Sequence, residues 1–369
     1  MTEKLRNLLH DRAVDVDFPP PDLDLLVRSG DRRVRRRRGL VAAGSLAALA
    51  VTAAVVVPAL VSDDGTPDPA GALATDVLPT DLVSWADGSI LHAGPAETDL
   101  GETIRAFVRT DVGYVVADAR GRVLSVVGGE VTEVGTVDAT DPRLVSDHDS
   151  SLVGWVDRSG EQPAFQVYDQ DDDEIVLDDD SATRPGMSNL ADDTDPAYFY
   201  AIDGDTAYWR DTRGLVAVDV ATGGTTVVDA RAVNGFDLID VQAGVLAFYG
   251  QEGVELGETR GTARPLPGVL EGSGVLSPLA TSYAPDSEWV KVVNRDGTDL
   301  SPSIPTRYFF STVYEWVDEE TVRVIALESE EASADLFSCS IATSSCTLLI
   351  DGAGVEGELQ LPVGEVLGG

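Results

Sequence analysis

Residues 206–228 read TAYWRDTRGLVAVDVATGGTTVV, and this stretch decides the fold. It holds three β-prone runs: Thr206-Ala207-Tyr208-Trp209, then Leu215-Val216-Ala217-Val218-Asp219, then Thr225-Thr226-Val227-Val228. Residues with turn chemistry, Asp211 and Gly214 in one gap and Gly223-Gly224 in the next, separate them. Val, Leu, Tyr and Trp favour strands because branched and aromatic side chains fit a pleated, half-buried surface, while Gly and Asp supply the turns. A further apolar run at 198–202 precedes the three, giving four short strands in one unit.

The unit recurs along the chain. Runs at 113–117, 122–126 and 131–134 form one copy, with 104–108 before them. Runs at 152–156, 165–168 and 174–177 form the next, and 245–249 with 253–256 another, with 238–241 before them. Residues 288–293 are read as the buried strand of a fifth copy, and 322–326, 336–339 and 347–350 belong to a sixth. Equivalent positions fall at Tyr114, Trp155, Tyr208, Phe248, Trp289 and Val324, with gaps of 41, 53, 40, 41 and 35 residues. Four short strands per ~40–45 residues is the repeat of a propeller blade. The expected fold is therefore an all-β propeller. A hairpin at 82–93, turned by Asp87-Gly88, is expected to share a blade with a strand around Leu359-Gln360-Leu361, since pairing the two ends hides both edges. Seven blades is the favoured count and six the alternative.

The first 80 residues have a different character. Gly39 to Val61 is an uncharged run of 23 residues. As a helix it would span roughly 34 Å, enough for a bilayer core of ~30 Å. Arg35, Arg36, Arg37 and Arg38 precede it and Ser62-Asp63-Asp64 follow it, so the basic flank places the N-terminus in the cytoplasm. A cleaved signal peptide is the weaker reading. Its apolar region would be ~7–15 residues after a short basic stretch, and Ala72-Leu73-Ala74 lies 11 residues beyond Val61. Four segments follow: a cytoplasmic basic tail at 1–38, a transmembrane helix at 39–61, a flexible linker at 62–79, and an outer β domain at 80–369. Leu5, Leu8, Leu9 and Val14 fall near helical spacing in the tail, and Pro19-Pro20-Pro21 ends that segment.

Charge agrees with two environments. The chain carries a net −38, yet residues 1–38 hold ten Lys/Arg against seven Asp/Glu, leaving 16 bases and 57 acids beyond. That balance excludes nucleic acid as a partner of the β domain.

Residues 283–297 resemble the WD40-like (TolB-type) propeller repeat. Tyr283-Ala284-Pro285-Asp286-Ser287 matches its aromatic-Ser-Pro-Asp-Gly turn, with Ala284 and Ser287 departing from it, and Asp296-Gly297 matches its closing turn. The tail, with Leu5-Arg6-Asn7-Leu8-Leu9-His10-Asp11-Arg12 before Pro19-Pro20-Pro21-Asp22-Leu23, is similar to that of actinobacterial anchored propellers. Some of those sit beside sigma factors, so the resemblance implies a regulatory role as one reading.

Motifs for catalysis are absent from the sequence. His10, His92 and His148 do not cluster, and no H-E-x-x-H, G-x-S-x-G, Walker or dinucleotide-binding pattern occurs. The chain is expected not to be an enzyme and to need no cofactor. Asp169-Gln170-Asp171-Asp172-Asp173-Glu174 alternates oxygen ligands as a calcium loop does, but lacks the Gly at position 6 and the distal Glu. It is read as a solvated turn, as are Asp178-Asp179-Asp180 and Asp192-Asp193. Cys339 and Cys346 flank a short hairpin loop and are expected to form a structural disulfide on the oxidising side of the membrane. The leading function is a membrane-anchored binding or scaffold module in the cell envelope, taking a protein or small ligand on the propeller face. The alternative is an anti-sigma-like regulator whose tail contacts a cytoplasmic protein. A pull-down with residues 1–38 separates the two: retention of a regulator such as a sigma factor supports the second, and an empty eluate removes it.

Overall fold

The computed structural model describes residues 82–366 apart from 148, 191–195, 231–237, 252, 271–272 and 356. The tail with Arg35 to Arg38, the apolar run 39–61, the linker 62–79, Asp192-Asp193, His10 and His148 lie outside the described residues. No helix of the described residues is long and apolar enough to cross a membrane.

Strands form seven sheets in chain order. Blade 1 holds β1 (Ser84–Asp87), β2 (Ile90–Ala93) and β3 (Ala96–Asp99), and blade 2 holds β4 (Ile104–Arg109), β5 (Tyr114–Asp118), β6 (Arg122–Val127) and β7 (Glu130–Thr136). Blade 3 holds β8 (Val145–Ser146), β9 (Leu152–Asp157), β10 (Ala164–Asp169) and β11 (Glu174–Asp179). Blade 4 holds β12 (Tyr198–Asp203), β13 (Thr206–Asp211), β14 (Gly214–Asp219) and β15 (Thr225–Asp229). Blade 5 holds β16 (Leu238–Gln242), β17 (Val245–Gly250), β18 (Gly253–Gly257) and β19 (Arg264–Pro265). Blade 6 has β20 (Gly274–Leu276), β21 (Ser282–Pro285) and β22 (Val293–Asn294), and blade 7 has β23 (Phe310–Asp318), β24 (Thr321–Leu327), β25 (Asp335–Ser340) and β26 (Ser345–Ile350). The last strand, β27 (Leu359–Gln360), returns to blade 1 and pairs antiparallel with β1, Ala86 opposite Gln360 and Asp87 opposite Leu359. The chain is a seven-blade β-propeller, closed by the strand that the sequence assigns to that task.

Packing explains why the second strands read as continuous apolar runs. In β5, Tyr114 and Val116 pack against Ala86 and Leu91 of blade 1, while Val115 and Ala117 pack against Val153 and Trp155 of blade 3. Successive side chains point to opposite faces, and both faces are covered, so these strands are mostly apolar, and the polar residues they do hold, such as Asp118, Arg210 and Arg323, are buried. The outermost strands have one free side, and β7 and β15 are largely exposed. A similar core fills each remaining gap: blades 3 and 4 around Phe165 and Trp209, 4 and 5 around Tyr208 and Phe248, 5 and 6 around Val254 and Tyr283, 6 and 7 around Trp316 and Phe337. Leu359 and Leu361 close the ring with Trp85, Tyr314 and Leu336. Close approach explains Gly154 inside β9. A Cβ there would lie 2.3 Å from the Phe199 ring of blade 4.

Carboxylates link the blades as well. Asp147 accepts from Gly204 N at 2.9 Å, Asp203 from Gly244 N at 2.7 Å, and Asp240 from Leu276 N at 2.7 Å. Glu319 accepts from Leu279 N and from the Ser277 hydroxyl. These bonds run 3 to 4, 4 to 5, 5 to 6 and 6 to 7, so part of the acidity is structural.

Blade 6 departs from the sequence reading. Residues 288–292 are not a strand, and Trp289 is 58% exposed rather than core. The strand lies earlier, and Tyr283 fills the core position. Proline ends it: Pro285 has no N–H to carry the ladder onward. Among the described residues the blade has three strands, not four. The Asp296-Gly297 turn holds, with Gly297 N donating to Asn294 O at 2.9 Å.

Cys339 and Cys346 sit opposite each other across β25 and β26 and form the disulfide, with Cα atoms 4.0 Å apart. Closing so short a loop contributes about 2 kcal/mol.

Ring closure generates a test. Leu361→Ala, at a fully buried site beside the returning strand, is expected to cost about 3 kcal/mol in urea unfolding. Leu349→Ala on the exposed outer strand β26 should stay within about 0.5 kcal/mol. Equal effects at the two positions would contradict closure through β27.

Candidate binding site

Innermost strands of neighbouring blades lie side by side around the axis, β27 holding that place in blade 1, and in the other blades the start of the innermost strand shares one end of the propeller with the finish of the second. At this end polar side chains gather from four directions. Arg143 stands before β8, Tyr198 begins β12, Tyr249 lies near the finish of β17, and Asp286 follows β21. Glu365 arrives from the C-terminal segment.

That segment is guided by the inner strands. Val363 bridges to Val108 of β4, Gly364 N donates to Phe107 O at 2.9 Å, and Leu144 N donates to Gly364 O at 2.8 Å. Gly364 has φ +78°, and a Cβ there would lie 2.0 Å from Leu144 O, so only glycine fits. The next residue, Glu365, therefore meets Arg143 in an ion pair. Arg143 also donates through Nε to Phe199 O at 2.9 Å and lays its guanidinium 4.6 Å from the Tyr198 ring centroid. Tyr200 packs edge-on to Tyr198 at 4.9 Å. Burial disfavours the Arg143 cation, but Tyr198 and Glu365 outweigh it and its pKa rises. Burial pushes the Tyr198 phenol up to about 12, and pushes Tyr249 upward too. Asp286 takes long bonds of 3.4 Å from Ser273 and Thr312.

Between blades 3 and 4, Asp138, Asp141, Arg158, Asn189 and Tyr198 line a cavity of about 20 Å³. That is room for about one water. Arg158 is committed there to Met187 O at 2.6 Å and Ala197 O at 3.2 Å. The chemistry of this end is therefore a surface of donors, acceptors and aromatic rings, suited to recognition.

The residues singled out in the sequence lie elsewhere. His92 stacks on Trp85 at 4.5 Å and faces Glu97 at 3.5 Å, half-buried. The 169–174 run is the β10–β11 turn, and its first two residues are buried rather than solvated. Asp169 accepts from Ser151 at 2.5 Å. Gln170 reaches into blade 2, donating to Tyr114 O at 2.9 Å and Ser125 Oγ at 2.8 Å. Asp171 to Asp173 are exposed, and Asp173 accepts from Tyr168 at 2.7 Å. Among the described residues no group of three or more His, Cys, Asp or Glu is placed to hold a metal ion. Sequence reasoning missed Arg143, Tyr198, Tyr249 and Glu365, which belong to separate blades and share no local motif. The scarcity of cations beyond residue 38 was the one available signal for Arg143.

No family model matches the chain, and no curated protein matches it. Among solved structures it is similar to AztD from Citrobacter koseri, at 12% identity over 75% of this chain and 83% of that one, with a TM-score of 0.44. It is similar to TolB from Acinetobacter baumannii at 13% identity over 71% and 68%, with a TM-score of 0.40. A computationally designed protein, Ika8, shares 14% identity over 75% and 89%, with a TM-score of 0.44. At these levels the propeller rests on the chain's own sheet order.

Asp240 gives this region a pH dependence. Burial pushes its carboxyl up to about 7; the Leu276 and Val241 amides pull it down, Asp203 raises it and Arg143 opposes. Between the unfolded value of about 3.9 and about 7 the folded protein holds a proton that the unfolded chain has released. This group therefore favours folding at low pH, and its contribution falls as pH rises through that window. Asp240→Asn keeps an acceptor without the charge. Its stability advantage over wild type in urea unfolding should widen from about pH 4 to about pH 8. A gap that is constant with pH would show that Asp240 does not titrate in this window.

Proposed function

We propose that this chain is a membrane-anchored binding module of a bacterial cell envelope, of the actinobacterial kind, and not an enzyme. The linker 62–79 holds the propeller outside the cytoplasmic membrane. The end that carries Arg143, Tyr198, Tyr249 and Glu365 receives an envelope protein or small ligand.

The observation that carries the reading is the convergence of these side chains at one end of the propeller, from segments of different blades. A ring scaffold holds such groups rigidly, and rigid placement limits the entropy lost on binding. Placement outside the membrane is supported by the 23-residue uncharged run with Arg35 to Arg38 before it. The Cys339–Cys346 disulfide also supports it, since disulfides persist in oxidising compartments. The net charge of −38 argues for a partner that is not nucleic acid.

Intact cells carrying tags at both termini provide the test. Protease shaving should remove the C-terminal tag and protect an N-terminal fragment of about 60–80 residues, the length of tail, span and linker. Protection of the C-terminal tag removes the outer placement. A photo-crosslinking residue at Tyr249 should give a discrete adduct, and one at Thr226 on the exposed strand β15 should not. No adduct from position 249 removes this end of the propeller as the binding face.

A further inference from the structure

The sequence reading placed Trp289 in the core, and the structure places it on the surface. Its neighbours show that the exposure is organised. Leu270 is 76% exposed, Trp289 58% and Phe309 43%. Hydrogen bonds tie the three segments together. Lys291 donates to Gly268 O, two residues from Leu270. Ser311 N donates to Glu288 O at 3.0 Å, and Val290 N donates to Ser311 Oγ at 3.2 Å, so the Trp289 segment lies along the start of β23, which Phe309 precedes. Other exposed apolar residues, such as Val131, Val227 and Leu348, lie on outermost strands of separate blades.

The Trp289 segment is held in place although it is not a strand. Ser287 Oγ donates to Trp289 O at 2.6 Å, and Val292 is fully buried between blades 6 and 7. A large aromatic ring kept in water on a fixed backbone is the usual centre of a protein contact. The Trp289 segment itself carries two acids and one base, Lys291. Asp286 and Glu288 are exposed on the same segment, and among the described residues neither has a cationic partner. Nearby cations are engaged: Lys291 with Gly268 O, and Arg307 with Glu328 at 2.6 Å.

We propose that Leu270, Trp289 and Phe309, with Asp286 and Glu288, form a docking surface for a basic peptide segment of an envelope protein, one that sets an apolar side chain between Lys or Arg residues. The proposal rests on the binding-module reading above and names the partner's chemistry. Charge selects this occupant. Asp286 and Glu288 would face their own copies in a symmetric self-association, where like charges repel. They would also repel the anionic headgroups that attract membrane-surface proteins. A basic segment pairs with both carboxylates while its apolar side chain covers the Trp289 ring.

The test pans a random-peptide phage library on the full-length chain in nanodiscs of zwitterionic lipid. Enriched peptides should carry Lys or Arg flanking Trp, Phe or Leu. A synthetic peptide of the enriched sequence should lose at least about tenfold in affinity with Trp289→Ala. It should weaken with added salt, and with Asp286→Asn and Glu288→Gln combined. The unfolding midpoint of each variant reports folding, and an exposed site should leave it unchanged. Enrichment of acidic or uncharged peptides overturns the proposal, as does unchanged affinity in Trp289→Ala. So does a dimer in sedimentation, or flotation with anionic vesicles, that Trp289→Ala abolishes. Binding lost with Arg143→Ala but kept with Trp289→Ala would retain the axial face and discard this surface alone.

Discussion

The structure depends on the pairing of β27 with β1. Seven sheets in a row would leave a raw apolar face on the first and last blades. The return of Leu359–Gln360 to Ser84–Asp87 removes both at once. The contact joins residues from opposite ends of the domain, so it carries a large loop-closure entropy, and it must be rich in burial to form. Leu359 and Leu361 supply that burial against Trp85, Tyr314 and Leu336. The same return delivers the C-terminal segment to β4, and through it Glu365 to Arg143. Closure and the candidate site are thus consequences of one strand.

Acidity has more than one role in this protein. Asp147, Asp203, Asp240 and Glu319 accept backbone or hydroxyl bonds from an adjacent blade, fixing neighbours that are otherwise joined by apolar packing. Apolar contacts are non-directional, so they tolerate sliding, whereas a carboxylate-to-amide bond sets register. Asp240 shows the cost, since its burial holds the carboxyl near neutrality. Other acids, such as Asp171 to Asp173, stay in water. Asp286 and Glu288 stand in water as well, beside an exposed Trp, where charge can select a partner.

Blade 6 shows how local rules compete. Residues 288–293 have the composition of a buried strand, with Trp289 among valines. Pro285 stands just before them and ends the real strand at the position where a turn was read. Once the ladder stops there, Val290 and Val292 still find the core between blades 6 and 7, but Trp289 turns outward. Composition fixed which side chains could be buried; backbone hydrogen bonding chose which of them were.

Sequence alone determined the strand-turn repeat and the pairing of the two ends, because the period of two and the ~40-residue spacing are local or nearly local signals, while it left six or seven blades open and the sheet order decided seven. The cysteine pair was legible for the same reason, seven residues apart across one hairpin. Tertiary structure decided everything at the axis. Arg143, Tyr198, Tyr249 and Glu365 are far apart in the chain and belong to no motif; they meet only because ring closure brings the blades into a circle. It also decided that Gln170, in a turn that looks solvated, would be buried in its neighbour blade, and that Trp289 would not be buried at all. Burial on a propeller is set by the adjacent blade, and no stretch of sequence contains its neighbour.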